Sequence, residues 1–262
     1  MQPYLLFLPL APVLFLQGKY AQMTTPRLPE AEGDRTGISG RGPVVKLLIL
    51  GDSAAAGVGA ARQDLALAGA LVQQLADQFE VRWRVHARTG NTTSDTLRGL
   101  AELGDECFDV IVVSTGVNDV TRGVNLTRWR DQLRALHGAL IGKLGARLVL
   151  YSGVPPMGRF VALPQPLRGF MGLRASLFDL QLQKCVASLR KAAYLAVENE
   201  FDDRSLAHDG FHPSEYAYGR WAEILGNRLK AALLALEVAV EPEYRQDEVP
   251  VPEEPQAVLE DG

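Results

Sequence analysis

Short apolar runs, separated by longer segments of helical character, constrain the fold of this chain most strongly. The first run, Val45 to Leu50, is apolar except for Lys46, which is typical of a strand buried on both faces of a parallel sheet. Further strands are predicted at residues 81–87, 110–113, 148–151 and 194–197, and helices at 64–79, 94–103, 126–144, 173–189 and 213–236. Strands that alternate with helices pair in parallel through right-handed crossovers. We therefore predict an α/β fold, a three-layer α/β/α sandwich with a mainly parallel five-stranded sheet.

Composition narrows the class of protein. The 262 residues are 47% hydrophobic and 22% charged, which is enough apolar material for one globular core without disulfides. The two cysteines, Cys107 and Cys185, lie far apart and outside any C-x-x-C pair, so neither a disulfide framework nor a zinc ribbon is indicated. No stripe of basic residues interleaved with aromatic ones occurs, and we expect no nucleic-acid partner.

Three segments are expected along the chain. Residues 1–43 are predicted to be an apolar N-terminal segment and a linker, residues 44–236 the globular domain, and residues 237–262 a disordered acidic tail. The tail contains nine acidic residues and one arginine. Its apolar surface is too small to offset the entropy lost on folding.

The apolar run at residues 4–16 has three open interpretations. A helix of this length rises about 20 Å, against about 30 Å for a bilayer core, and Pro9 and Pro12 interrupt it. No basic residue precedes Lys19 and no clear cleavage site follows. The run is a poor signal or anchor, an interfacial segment in contact with a membrane surface, or an apolar arm packed on the domain. We expect a cytoplasmic or membrane-associated location rather than export.

Polar loops follow the predicted strands, at the edge of the sheet where ligands bind in such folds. Ser53 comes directly after the first strand, flanked by small residues, and is the candidate nucleophile; a helix N-cap is the alternative. Gly57-Val58-Gly59 resembles the start of a dinucleotide-binding loop, but Arg62 stands where the third glycine belongs.

The loops after the second and third strands carry Gly90 and the sequence Gly116-Val117-Asn118-Asp119. A glycine lets a backbone amide approach a ligand, and an asparagine side chain offers two donors, so both suit a developing oxyanion. Two structural roles remain open. Asn118 could only tie down its loop, and Asp119 could cap the next helix.

The sequence His208-Asp209-Gly210-Phe211-His212-Pro213 supplies two of the four histidines. His212 fits best as a general base, with Asp209 accepting a hydrogen bond from its ring. His208 and His212 are alternatively metal ligands, although few further ligands are apparent. His86 and His137 are expected to be solvated or structural.

The four blocks Gly51-Asp52-Ser53, Gly90, Gly116-x-Asn118-Asp119 and Asp209-x-x-His212 together resemble the SGNH hydrolases, also called GDSL-like esterases and lipases. Ala54 replaces the leucine that usually follows the serine in that family. The resemblance implies a flavodoxin-like fold, with Ser53 as nucleophile, His212 as base and Asp209 as its orienting acid. It also implies an oxyanion hole made of the Ser53 and Gly90 amides and the Asn118 side chain, and no cofactor.

The predicted reaction is hydrolysis of small-molecule carboxylic esters, with short- to medium-chain acyl or acetyl esters as the first expectation. Lysophospholipids, thioesters and O-acetyl sugars stay open. The apolar stretch at residues 153–171 walls an acyl pocket or simply packs on the core. Two other classes of protein are kept as alternatives. One is a metal-dependent phosphoesterase that uses Asp52, Asn118, His208 and His212 as ligands, and the other is a non-catalytic module that binds carbohydrate or lipid.

Overall fold

A computed structural model describes residue 7, residues 9 to 197, residue 202 and residues 204 to 244, the last nine by their backbone alone. Six strands run through this part of the chain: Thr36–Ser39 (β1), Val44–Gly51 (β2), Glu80–Ala87 (β3), Val110–Ser114 (β4), Leu148–Ser152 (β5) and Ala192–Leu195 (β6). They form one sheet in the order β1-β3-β2-β4-β5-β6. β1 pairs antiparallel with β3, and the other neighbours are parallel. The five parallel strands thus follow the flavodoxin-like order, which confirms the predicted fold class.

Helices cover both faces of the sheet. They span Ala11–Thr24 (α1), Leu67–Leu75 (α2), Thr93–Gly99 (α3), Val117–Thr121 (α4), Leu126–Gly142 (α5), Leu167–Ala187 (α6) and Glu215–Tyr244 (α7). Leu48 of β2 belongs to a core that also contains Trp129 of α5 and Phe178 of α6. Because successive strand side chains point to opposite faces, the equally buried Leu47 faces the other helical layer.

The sixth strand, β1, corrects the predicted strand count. Residues 36–39 lie in the stretch that the sequence predicts to be a linker, and four residues rich in glycine and polar side chains carry no periodic signal. β1 pairs with β3 over its full length. The alternating pattern of β3 predicts a position near the sheet edge, and β3 is the second strand from that edge. The outer backbone groups of β3 bind β1, so β3 is not itself an exposed edge strand.

The N-terminal apolar run forms part of α1, which packs along α6. Ala21 is 6% exposed and joins the main core, and the Phe7 ring lies 5.2 Å from that of Phe170. These contacts pack one side of α1 and the preceding Phe7 on the domain. Within the described residues, no helix combines the length and the hydrophobicity that crossing a membrane requires. Residues 4–6 and 8 of the run lie outside the described part.

The largest differences from the predicted helix bounds are in α6 and α7. α6 begins at Leu167 rather than Leu173, and α7 begins at Glu215 and continues to Tyr244, beyond the expected end at Leu236. The chain divides into two compact units after Gly226. The first contains the sheet, and the second, as far as it is described, is the remainder of α7. Residues 245–262, most of the predicted acidic tail, lie outside the described residues.

Candidate active site

Three loops leave the carboxyl edge of the sheet at one level, because Gly51 is the register partner of both Ala87 and Ser114. This is the point where the order of the parallel strands reverses, and ligands of doubly wound sheets bind there. Two to four residues beyond this level stand Ser53, Gly90 and Asn118.

The loop that carries Ser53 begins with a close approach of two strands. A Cβ atom at Gly51 would lie 1.9 Å from the carbonyl oxygen of Ser114, so only glycine fits. The amide of Asp52 then donates to that same oxygen at 3.1 Å, and the Ala54 amide donates to Oδ1 of Asp52. Turns, and no α-helix, follow directly. Ser53 is therefore not the N-cap that the sequence left open.

Ser53, His212 and Asp209 form a line of side-chain contacts. Nε2 of His212 lies 3.0 Å from Oγ of Ser53, and Nδ1 lies 2.5 Å from Oδ2 of Asp209. The other carboxylate oxygen, Oδ1, accepts hydrogen bonds from the amides of Phe211 and His212. The Asp209 carboxylate is fully buried, whereas the His212 side chain is 18% exposed. The imidazole is thus fixed on its Nδ1 side and open toward the serine.

Two buried carboxyl groups, Asp209 in this line and Asp52 outside it, have pKa values that shift in opposite directions. Burial opposes ionisation of Asp209, but hydrogen bonds from the His212 ring and from the His212 and Phe211 amides outweigh it and lower the pKa. Burial raises the pKa of Asp52 to about 7, and the carboxylate of Asp119 adds to the rise, against the Ala54 amide and the His212 charge. Such divergence is typical of sites that separate the roles of two acids.

Gly90 and Asn118 belong to two loops that hold each other. Gly90 has a φ of 85°, a conformation that glycine adopts without strain. Nδ2 of Asn118 donates to the carbonyl oxygen of Asn91 at 3.0 Å, and Arg122 donates to the carbonyl oxygen of Gly90 at 2.7 Å. An amide nitrogen carries two hydrogens, so this contact orients the second one.

A buried network joins the same two loops below the surface. Oδ2 of Asp119 accepts hydrogen bonds from the amide and the hydroxyl of Thr93, at 2.9 and 3.0 Å. The indole of Trp129 donates to that hydroxyl at 2.9 Å. Asp119 therefore binds the start of α3 and not the helix that follows it in sequence. Its burial raises the pKa against the Thr93 contacts.

A cavity of about 370 Å³ opens beside Ser53 and His212. Its apolar walls come from three parts of the chain and include Val117, Pro155, Phe160, Phe211, Trp221 and Ile224. The stretch at 153–171 contributes only in part, since Leu163 and Leu167 pack into the core. Arg174 binds the carbonyl oxygens of Val120 and Val124, which is a structural role.

Residues 49–220 match the model of the GDSL-like Lipase/Acylhydrolase family. The chain belongs to this family. GDSL-like esterase Rv1075c of Mycobacterium tuberculosis is 28% identical over 235 residues, which are 78% of this chain and 70% of that protein. The solved structure of TesA is similar with a TM-score of 0.59 and 24% identity, over 71% of this chain and 98% of that one. Esterase EstA from Pseudoalteromonas sp., solved with monoethylphosphonate as inhibitor, has a TM-score of 0.54 and 19% identity, over 72% and 98%.

As a GDSL-like acylhydrolase, the chain is a carboxylic ester hydrolase, and the structure also locates the residues of the alternative predictions. His208 is exposed on its loop, whereas Asp52 is buried. Across the described ranges, no three His, Cys, Asp or Glu side chains lie close enough together to hold a metal ion. His86 contacts the carbonyl oxygen of Gly99, and His137 contacts Tyr151 and Arg190.

Three residues of this GDSL-like site carry no sequence signal for their role. Thr93 and Trp129 join the loops that carry Gly90 and Asn118, yet each looks like an ordinary helix residue in sequence. Asp52 stands in the recognised motif, but the sequence suggests for it only a place among metal ligands. Contacts such as Trp129 to Thr93 join residues 36 positions apart, and no local pattern encodes them.

Proposed function

We propose that this chain hydrolyses esters of short- to medium-chain acids by a serine acyl-enzyme mechanism. Ser53 is the nucleophile, His212 the general base, and Asp209 the carboxylate that orients the imidazole and stabilises its charged form. The observation that carries the proposal is the line of contacts from Oγ of Ser53 through the imidazole to Oδ2 of Asp209.

The reaction proceeds in two halves. Oγ of Ser53 attacks the ester carbonyl carbon while Nε2 of His212 takes the hydroxyl proton. The imidazolium then gives this proton to the departing alkoxide, which leaves as the alcohol, and the acyl group stays on Ser53. Water attacks the acyl-enzyme, again losing a proton to His212. That proton returns to Oγ as the acid departs.

The negative oxygen formed in each half meets three donors in the proposed mechanism. These are the amides of Ser53 and Gly90 and the free N–H of the Asn118 side chain. The contact of Asn118 with Asn91 supports this role, because a donor held in place before the reaction costs no reorganisation when charge develops.

The acyl chain is assigned to the cavity beside Ser53. The walls formed by Val117, Pro155 and Phe160 are apolar, and burial of CH₂ groups there favours an acyl chain over a charged one. Short- to medium-chain acyl esters are the proposed substrates. Lysophospholipids, thioesters and O-acetyl sugars are the competing members of a substrate panel.

Labelling with a fluorophosphonate tests this function, because the reagent requires an activated serine. The wild-type chain should be labelled on Ser53 and should hydrolyse p-nitrophenyl esters. Ser53→Ala should be neither labelled nor active. Ser114→Ala is the matched control, since it removes another buried hydroxyl from the same cavity wall and should be labelled normally. Labelling that persists in Ser53→Ala would overturn the assignment. Hydrolysis abolished by a chelator would favour the phosphoesterase alternative.

A further inference from the structure

Helix α1 packs on the domain in the reverse of the usual orientation. A surface helix normally turns its apolar side chains inward. The less exposed positions of α1 are instead Leu14, Gln17, Gly18 and Ala21. Large apolar side chains face solvent: Val13 is 42% exposed, Phe15 64%, Leu16 66%, Tyr20 60% and Met23 80%. We call these five residues the outer face of α1.

Polar contacts hold the helix in this orientation. Nε2 of Gln17 donates to the carbonyl oxygen of Gln165 at 2.6 Å, and Oε1 of Gln17 accepts the amide of Leu167 at 3.0 Å. On the same side, Ala21 is buried in the core. Rotating the helix to bury its outer face would break both contacts of Gln17. The exposure of the outer face is therefore a property of the fold.

The charge and the length of this segment fit a lipid bilayer as the partner. The first 29 residues contain Lys19 and Arg27 and no acidic residue, which complements an anionic membrane surface. Lys19 and Tyr20 each combine an apolar body with a polar end, as residues at a membrane interface do. A helix of 14 residues rises about 21 Å, less than the roughly 30 Å of a bilayer core. It suits a position in the plane of the interface.

One loop connects α1 to the candidate active site. At its far end, Gln165 contacts Gln17. At its near end, the amide of Ala162 donates to the carbonyl oxygen of Gly210, and the Phe160 ring lies 4.9 Å from that of Phe211. Phe160 and Phe211 both line the cavity beside Ser53. A surface bound by α1 is thus linked to the wall of the proposed acyl pocket through a few residues.

We propose that α1 is an interfacial membrane helix, whose outer face inserts into one leaflet of an anionic bilayer. Docking keeps the cavity near the lipid phase, where apolar esters concentrate. The docking itself is independent of the chemistry, whereas the delivery of esters rests on the proposed function.

Vesicle flotation of the full chain tests the proposal, with vesicles of equimolar phosphatidylcholine and phosphatidylglycerol. The wild-type chain should float with the vesicles. The triple variant Phe15→Gln, Leu16→Gln, Met23→Gln should bind at least about tenfold more weakly, because three apolar side chains no longer enter the leaflet. The matched control is Leu65→Gln, Leu180→Gln, which changes two apolar side chains exposed elsewhere and should float like wild type.

Activity separates docking from chemistry. The triple variant should hydrolyse p-nitrophenyl acetate at the wild-type rate but lose hydrolysis of an ester held in the vesicles. Ser53→Ala should float normally, so a failure of the proposed chemistry leaves the docking result readable. The proposal is overturned if the wild-type chain does not float, or if the triple variant floats equally well. A third outcome would also overturn it: the wild type is a dimer, the triple variant is a monomer, and neither protein floats. The outer face would then bind a second copy of the chain.

Discussion

The two sides of the candidate active site are built in different ways. On one side, which we call the relay and which consists of Ser53, His212 and Asp209, the His212 ring contacts both other side chains directly. On the other, the oxyanion side, Gly90 and Asn118 are held by bonds between loops, through partners that lie farther from the reacting atoms. The relay therefore depends on a few side chains. The oxyanion side depends on a scaffold.

This difference predicts how each side responds to substitution. In the proposed mechanism, loss of one member of the relay interrupts proton transfer, and the effects of removing its members should be far from additive. Loss of one oxyanion donor leaves the others in place, and loss of a scaffold contact only loosens the donors. We expect effects that decrease in that order.

After Ser53→Ala, the largest effect in the relay should be that of Asp209→Asn. The amide oxygen can still accept from the Phe211 and His212 amides, but the side-chain nitrogen cannot accept the Nδ1 proton, so the imidazole is left in the wrong tautomer. We expect kcat to fall about 10,000-fold. Asp202→Asn is the control, since Asp202 lies at the rim of the same cavity and pairs with Arg204. Steady-state kinetics decide, and a near-normal rate for Asp209→Asn would remove it from the relay.

Asn118→Ala should reduce kcat by about 100- to 1000-fold, with little change in KM, because the donor acts on charge that forms in the transition state. Asn125→Ala offers a contrast. The side chain of Asn125 caps α5 by accepting the Thr127 amide, so its loss should cost about 1 kcal/mol of stability and leave kcat unchanged. A wild-type rate for Asn118→Ala would place the donor elsewhere.

Thr93→Val tests the scaffold below the oxyanion side. The variant keeps the shape of the side chain but leaves the Trp129 indole and one bond of the Asp119 carboxylate without a partner. We expect a loss of about 1–3 kcal/mol in unfolding free energy. The fall in kcat should be on the order of tenfold, since the donors remain but are less well positioned.

The same helix provides a matched control. Thr96 is 1% exposed, and its hydroxyl has no hydrogen-bond partner within the described part of the chain. Thr96→Val should therefore be neutral or stabilising in thermal denaturation, with an unchanged kcat. If both variants behave alike, the network does not position the oxyanion side.

The candidate site residues and the network behind them differ in how far the sequence could predict them. Ser53 and Asn118 follow strands that continuous apolar runs reveal, and parallel strands bring such loops to one edge. Their convergence at one level of the sheet was therefore predictable. The contacts of Thr93 and Trp129 were not, because they depend on how α3 and α5 pack and not on local spacing.

β1 and the first turns of α6 escaped prediction for related reasons. β1 has four residues and gains its hydrogen bonds only from β3. The first turns of α6 contain Gly169 and Gly172, which lower helix propensity. A Cβ atom at Gly172 would lie 2.7 Å from Gly158, so this glycine permits a close tertiary contact. The two glycines lower the helix propensity of the start of α6, although tertiary packing requires one of them.

Asp52→Asn should have the smallest effect on rate. Its effect on stability should depend on pH, and the dependence should have the opposite sign to that of Asp209. Burial raises the pKa of Asp52 to about 7, above about 3.9 in an unfolded chain. Between these values the unfolded chain has released a proton that the folded chain keeps, so Asp52 destabilises the fold increasingly as pH rises from about 4 to about 7. The gain in stability of Asp52→Asn over wild type should grow across that range. The lowered pKa of Asp209 has the reverse sign, since its stabilisation is lost as pH falls through that pKa.

Denaturant unfolding of wild type, Asp52→Asn and Asp209→Asn from about pH 2 to about pH 8 measures both slopes, because the contribution of Asp52 changes between about pH 4 and pH 7 and that of Asp209 changes below about pH 4. In Asp52→Asn the side-chain amide oxygen can still accept the hydrogen bond from the Ala54 amide, so the rate of this variant should stay within about tenfold of wild type. A stability difference that does not change with pH would mean that Asp52 is ionised throughout in the folded chain. The site would then hold two negative carboxylates, Asp52 and Asp209, near one imidazole, and the opposite pKa shifts of the two acids would be lost.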